Sequence, residues 1–438
     1  NKLAYKDATK LFQDKKFKEA AAEFAKVQSD YLYYEQAQAR MARALAASGD
    51  FAASRQAVAA YRKFVEENEL SQRMTGKQQV RDLAVASVAY NDVWMSYYEA
   101  RGNKEFSIER DLEKYGVAVA EAEKFLSNSA EDGAAYVPQV LAYLGRLHVD
   151  TGSLDKAEQA YSQLKGVEAS RASRLASEIF RQYEGQVDGL TEEFSKLIAK
   201  DADANQLAAA ETDLANARKQ LTALGTDYIQ SSGKPQLAIL VATMQNFEQL
   251  GEWEKVDTVA KKTMAIYGPS TDAGEKNVVD KLVRPMVGEA LLQQQRFQEA
   301  YDMLVKAEEA NPQQWELKRQ ISRALGGWFE FNKETAARVR VPGLDKPVEA
   351  YMKYYGDPTD SYRIWATRPD VKKYSLSWYK FMWESYWFAK QAGAKDDKFK
   401  ATAQSFYNIA RSTNDFGNLK QLGPEGLKLF NFFQANRP

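Results

Sequence analysis

One spacing recurs five times along this chain. It runs small residue, apolar residue three positions on, turn, aromatic residue or Leu, then a small residue followed by further apolar ones. The first copy reads Ala8, Leu11, Phe17, Ala20, Phe24, Val27. The second reads Ala42, Leu45, Gly49, Phe51, Ser54, Val58, with each shared anchor 34 positions on. Gly145, His148, Gly152, Leu154, Ala157, Tyr161 and Leu164 form the third, and Met244, Phe247, Gly251, Trp253, Val256 and Ala260 the fourth. The fifth is Gly288, Leu291, Phe297, Ala300, Leu304 and Ala307, followed by Pro312.

Each copy predicts two short amphipathic helices joined by a tight turn. In the second copy Ala37, Met41, Ala42 and Leu45 fall on one helical face. Ala47-Ser48-Gly49-Asp50-Phe51 then ends that helix, with Gly49 free to adopt the left-handed conformation that closes helix C-termini. Ala20 and Ser54 are expected where the paired helices approach most closely, and Phe17, Phe51 and Trp253 over the seam just after the turn. One such hairpin cannot bury its apolar face, whereas a stack of them can. No alternating strand pattern longer than a few residues interrupts the helical reading, so the fold class is all-α.

The spacing resembles the tetratricopeptide repeat, a helix–turn–helix unit of 34 residues that stacks into a superhelix. The resemblance implies a right-handed α-solenoid with divergent central and C-terminal helices, and docking of a protein or peptide partner as its function. In such repeats the first helix of each pair lines the groove. Carried over, the groove positions are Gln36 and Arg43, Gln139 and Arg146, Gln245 and Gln249, then Glu289 and Gln293. Gln and Arg there suit peptide backbone and carboxylates. The clamp with which the family holds chaperone tails is not matched, because Arg40 and Tyr143 stand where Asn is wanted.

Four stretches follow from this reading. Residues 1–70 hold two repeats. Residues 71–231 hold divergent hairpins with one repeat at 136–165. Within them a seven-residue recurrence of Leu207, Leu214, Leu221 and of Ala210, Ala217, Leu224 predicts a hairpin folded back on the helix of Leu190, Phe194 and Leu197, with a dimerisation arm as the alternative. Residues 232–338 hold two repeats separated by a polar insertion, Gly268 to Asn277, expected as a loop. Residues 339–438 form an aromatic-rich helical region; six of the eight Trp lie between positions 315 and 387.

Little in the chain suggests chemistry. Lys+Arg and Asp+Glu both number 60, so the basic excess of a nucleic-acid binder is missing. There is no Cys, and His148 is the one histidine, occupying the place of Leu11, Leu45 and Leu291 in sister copies. That excludes thiol catalysis, His-based triads and His/Cys metal sites, so no metal or cofactor is expected. His148 itself is expected to be a packed core residue. No nucleotide-binding loop or serine elbow appears.

The sharpest local oddity is Tyr362 to Tyr374, where Arg363, Trp365 and Arg368 suit a platform for a planar ligand, sugar or peptide. The expected function is therefore a non-catalytic adaptor that docks partners through the groove and the aromatic tail. A glycan- or small-molecule-binding envelope protein is the alternative, and an all-helical polysaccharide hydrolase a weaker third. No apolar run reaches the roughly 18–20 residues of a membrane span, and self-association is left open. Absence of Cys points to the bacterial periplasm or envelope, with the cytoplasm as the alternative, and a first residue other than Met fits either removal of a signal peptide or trimming.

Overall fold

A computed structural model describes residues 1–67, 78–102, 109–131, 133–200, 202–312, 314, 316–317, 320–321, 323–324, 372–393, 398–412 and 416–436. Among them the regular structure is helical, with no strand. Two compact units emerge, Asn1–Gln182 and Tyr183–Pro438.

The first unit contains α1 (Lys2–Gln13), α2 (Phe17–Phe24), α3 (Tyr34–Ala47), α4 (Phe51–Glu67), α5 (Gln78–Arg101), α6 (Tyr115–Asn128), α7 (Val137–Asp150) and α8 (Leu154–Lys165). The boundary between units falls inside α9 (Ala169–Ala199). Each helix from α1 to α7 packs on the next, and α3, α5 and α7 also touch in succession. First helices thus line up along one side, as a stack of hairpins requires. The core follows the repeat anchors: Ala8, Ala20, Phe24, Ala42, Ser54, Val58, Ala157 and Leu164 are all buried. Ser54 reaches across its hairpin and donates a 2.6 Å hydrogen bond to the Ala42 carbonyl. Gly145 is small for a steric reason, since a Cβ there would lie 2.4 Å from Leu175 Cδ2.

The second unit continues with α10 (Ala204–Ser231), α11 (Leu237–Leu250), α12 (Trp253–Tyr267), α13 (Ala273–Val278), α14 (Arg284–Gln293) and α15 (Phe297–Ala310). Here α10 packs on α11, α11 on α12, α12 on α14, and α14 on α15. The seven-residue seam of α10 is buried at Leu214, Ala217, Leu221 and Leu224, while Leu207 and Ala210 are half-exposed. The insertion expected as a loop at 268–277 is irregular over 268–272 and helical over 273–277. The Asp272 carboxylate accepts the Glu275 amide at 2.8 Å and starts α13, which runs through a π-helical turn at Val279–Val283 into α14. Last come α16 (Leu376–Gly393), α17 (Lys398–Arg411), α18 (Gly417–Lys420) and α19 (Gly423–Ala435). They share a core of Trp378, Tyr379, Phe381, Met382, Tyr386, Phe406, Tyr407, Phe416 and Phe433.

All five copies close their first helix with one turn. The residue two before the aromatic or Leu anchor is left-handed each time: Lys15, Gly49, Gly152, Gly251 and Gln295, with φ of 62, 84, 74, 73 and 59°. The following amide, of Lys16, Asp50, Ser153, Glu252 or Arg296, donates to the carbonyl of Leu11, Leu45, His148, Phe247 or Leu291 at 2.9–3.0 Å. This is the Schellman closure, which satisfies carbonyls a helix end would leave open. Two copies form it without glycine, at the expense of Cβ strain. Gln295→Gly is therefore expected to stabilise the fold by about 0.5–1 kcal/mol in denaturant unfolding, the strain relief exceeding the added unfolded-state entropy. A loss of stability would contradict this account of the turn.

Candidate functional site

The first-helix face of the N-terminal unit carries a ladder of polar and aromatic side chains. Each rung joins one first helix to the next. Tyr5 on α1 donates its hydroxyl to Gln36 Oε1 on α3 at 3.0 Å, and Arg40 on α3 returns a 3.0 Å bond to Thr9 Oγ1. Arg43 on α3 donates to Asn91 Oδ1 on α5 at 3.3 Å. Between α5 and α7, Tyr97 stacks on Tyr143 with ring centroids 3.9 Å apart, and Arg101 donates to Asp150 at 2.8 Å. Tyr90 stacks on Tyr136, just before α7, at 4.5 Å. Between α7 and α9, Arg146 pairs with Glu178 at 2.9 Å, and Arg171 donates to Gln139 Oε1.

The sequence-predicted groove residues Gln36, Arg43, Gln139 and Arg146 are thus rungs. They were expected to line a partner-binding groove, and each contacts a neighbouring first helix. Two cations on this ladder stand apart. Arg40 and Arg43 lie over the rings of Tyr5 and Tyr90, 5.5 and 5.2 Å from their centroids, and neither forms an ion pair among the described residues. A guanidinium stacked on a ring keeps the outer edge of its donor fork open to a carboxylate. Beside Arg43, the buried Asn91 Nδ2 has no hydrogen-bond partner. By contrast, acids of α5 turn to the other side: Glu99 pairs with Arg55 and Lys114, and Asp92 with Arg62.

In the second unit the first helices carry a different cluster. Gln245 on α11 is exposed, whereas Gln249 donates to Glu425 Oε1 on α19 at 3.2 Å. Glu425 also pairs with Lys380 of α16. Burial raises the Glu425 carboxyl, but Lys380 and Gln249 outweigh it and hold it below the usual range. Glu289 on α14 behaves likewise: burial works against its charge, and Arg323, Gln293 and Gln320 overcome it. Between these two ionised groups sits Glu248, which burial, Glu289 and Glu425 push up to about 7 against the opposing effect of Lys380. Arg218 on α10 has a buried Nε without a hydrogen-bond partner; burial disfavours its charge while Glu425 supports it.

His148 occupies its expected core position on α7. It is buried, and burial with the nearby Lys156 lowers its pKa, which favours the neutral imidazole. Arg363, Trp365 and Arg368 lie outside the described residues. No group of three His, Cys, Asp or Glu among the described residues is placed to hold a metal ion, and no helix among them is long and apolar enough to cross a membrane.

Sequence reasoning missed the partners on the ladder. A signal for them exists, because complementary polar residues recur 31–34 positions apart: Tyr5 with Gln36, Thr9 with Arg40, Gln139 with Arg171, Arg146 with Glu178, Glu289 with Arg323. Glu248, Lys380 and Glu425 carry no such periodic mark.

No protein-family model matches the chain, and no curated protein matches it. One solved structure to which it is similar is titled "Circular tandem repeat protein with novel repeat topology and enhanced subunit contact surfaces". Identity is 14%, coverage is 99% of this chain and 90% of that one, and the TM-score is 0.19. At that score the likeness bears on neither fold nor function. The helices and their packing establish an all-α fold of successively packed hairpins.

Proposed function

We propose that this protein is a non-catalytic scaffold of tetratricopeptide-type hairpins that docks a protein or peptide partner on the first-helix face of its N-terminal unit. The observation that carries this reading is the pair of guanidiniums, Arg40 and Arg43, stacked on tyrosines and paired with no carboxylate among the described residues. The neighbouring rungs hold the face in one geometry, so little ordering entropy opposes docking. The five identical turns support the repeat assignment, and the absence of Cys favours an extracytoplasmic setting.

The absence of Cys also supplies the test. A single photo-cross-linker attached at Gln36→Cys, on the first-helix face, should capture a discrete protein in the native source. The same group at Lys18→Cys, exposed on the second helix of that hairpin, should not. Arg43→Gln should lower partner affinity roughly tenfold, about 1.4 kcal/mol, as loss of an interface arginine does. Equal capture from both positions, or none from either, would overturn the reading.

A further inference from the structure

In the second unit the first-helix face already has an occupant. α19, through Glu425, meets α11 at Gln249, two residues past the Phe247 anchor, where α7 carries the rung residue Asp150. We propose that the C-terminal bundle α16–α19 is a detachable, built-in occupant of the first-helix face of α11, held through Glu425 and released as the pH rises to neutrality. The proposal rests on the reading of first-helix faces as docking surfaces, and it gives this second face a regulated state.

Three observations carry it. First, the bundle has a core of its own: Trp378, Met382, Tyr407, Phe416 and Phe433 pack on one another within α16–α19. It can leave α11 without opening its interior. Second, one described hydrogen bond and one close packing approach join the bundle to the hairpin helices. Gln249 donates to Glu425, and Gly423 starts α19 beside Ser195 of α9, whose Oγ lies 3.4 Å from where a Cβ would stand. Arg218 of α10 is drawn to Glu425, yet its buried Nε stays unsatisfied. A partly satisfied polar contact contributes less than an apolar seam of the same size.

Third, the contact encloses a carboxyl that changes charge near neutrality. Glu248 on α11 faces Glu289 from α14, Glu425 from α19 and Lys380 from α16. Around them, α10 contributes Arg218, whose charge Glu425 supports. α12 sends Lys255 to the Phe247 ring and to Glu252. Arg323 is committed to Glu289.

With its carboxyl neutral, Glu248 sits without penalty between two ionised acids. Once ionised it adds a third negative charge against one ammonium. Departure of the bundle returns Glu248 to water and removes Glu425, so its proton is lost more readily in the released state. A group whose pKa is raised in the closed state supports closure below the open-state pKa, and that support vanishes as pH rises through the closed-state value. For one coupled proton the ratio of released to closed chains grows about tenfold per pH unit between the open-state and closed-state values and levels off above the latter.

The Cys-free chain allows two clean labels, at Gln245→Cys on α11 and Lys428→Cys on α19, both exposed. Energy transfer between a donor and an acceptor there should be high at pH 5.5, fall as the pH rises towards about 7, and level off above it. In Glu248→Gln it should stay high to pH 9. Constant transfer from pH 5.5 to 9 in the parent chain, or the same fall in Glu248→Gln, would overturn the proposal. No partner takes part in this measurement. A failed cross-linking experiment with intact pH-dependent transfer sinks the docking reading alone, and the reverse pair of results sinks only the release.

Discussion

Ala157→Trp is expected to destabilise the N-terminal unit by at least about 3 kcal/mol and to lower its thermal midpoint by about 6–12 °C. Ala157 is fully buried on α8. Its equivalents are Ala20, Ser54, Val256 and Ala300, of which Ser54 reveals what the position faces. The Ser54 hydroxyl touches the carbonyl of Ala42, twelve residues back on the first helix. By the same register Ala157 faces Gly145, itself crowded to 2.4 Å by Leu175 for any added carbon. An indole at that crossing has to part the two helices of the hairpin, and Gly145 already leaves no slack on the far side. Val256 stands at the equivalent crossing in α12, where Met244 replaces glycine, so the limit belongs to each hairpin's own spacing. Hydrogen exchange should rise over 137–165 first. An unchanged melting curve would mean the five copies have been aligned out of register.

The hairpins were legible because their signal is local. Ala8, Leu11, Phe17 and Ala20 repeat at Ala42, Leu45, Phe51 and Ser54, and a burial pattern of that kind leaves its period in the sequence whatever surrounds it. The turn was legible where glycine marks it, at Gly49, Gly152 and Gly251. At Lys15 and Gln295 the same left-handed geometry is imposed by the stack on residues that disfavour it, so composition conceals it. The second half of the polar string at 268–277 misled in the opposite sense. Polarity suggested a loop, but the spacing Asp272 to Glu275 is that of an N-cap, and the following residues are helical.

The site was less legible, for a reason of scale. Reading α3 alone, Arg43 is a charged residue on a polar stripe. Its partner Asn91 lies 48 positions on, beyond any helical period. Gln249 shows the limit most clearly. Its place on the first-helix face followed from the repeat, yet its partner Glu425 is 176 residues away in a segment with no periodic relation to α11. Packing within a hairpin can be read from spacing; pairing between distant segments depends on a register that spacing does not encode.

Phe433→Ala should unfold the C-terminal bundle selectively, at a loss of about 3–5 kcal/mol. Phe433 is fully buried and is the hub of the aromatic core. Its ring stacks on Phe416 at 4.8 Å and 18°, meets Trp383 edge-on at 5.2 Å, and lies within 6.5 Å of both Tyr386 and Tyr407. Ring pairs of this kind add about 0.5–1.5 kcal/mol beyond the area they bury. A second effect compounds the cavity. Phe416 is held at φ 67°, a conformation unfavourable for a bulky side chain, and it starts α18 from there. Such strain persists only while the surrounding packing over-determines it. With Phe433 truncated, the ring that pins Phe416 is gone, and the backbone is free to relax out of the geometry that positions α18 against α19. Exchange protection should therefore fall together across 376–393, 398–411 and 417–435, while α7 and α8 stay protected. If protection instead fell along α11, α12 and α14 to the same degree, the bundle would share one cooperative core with the hairpins, and its independence from them would be wrong.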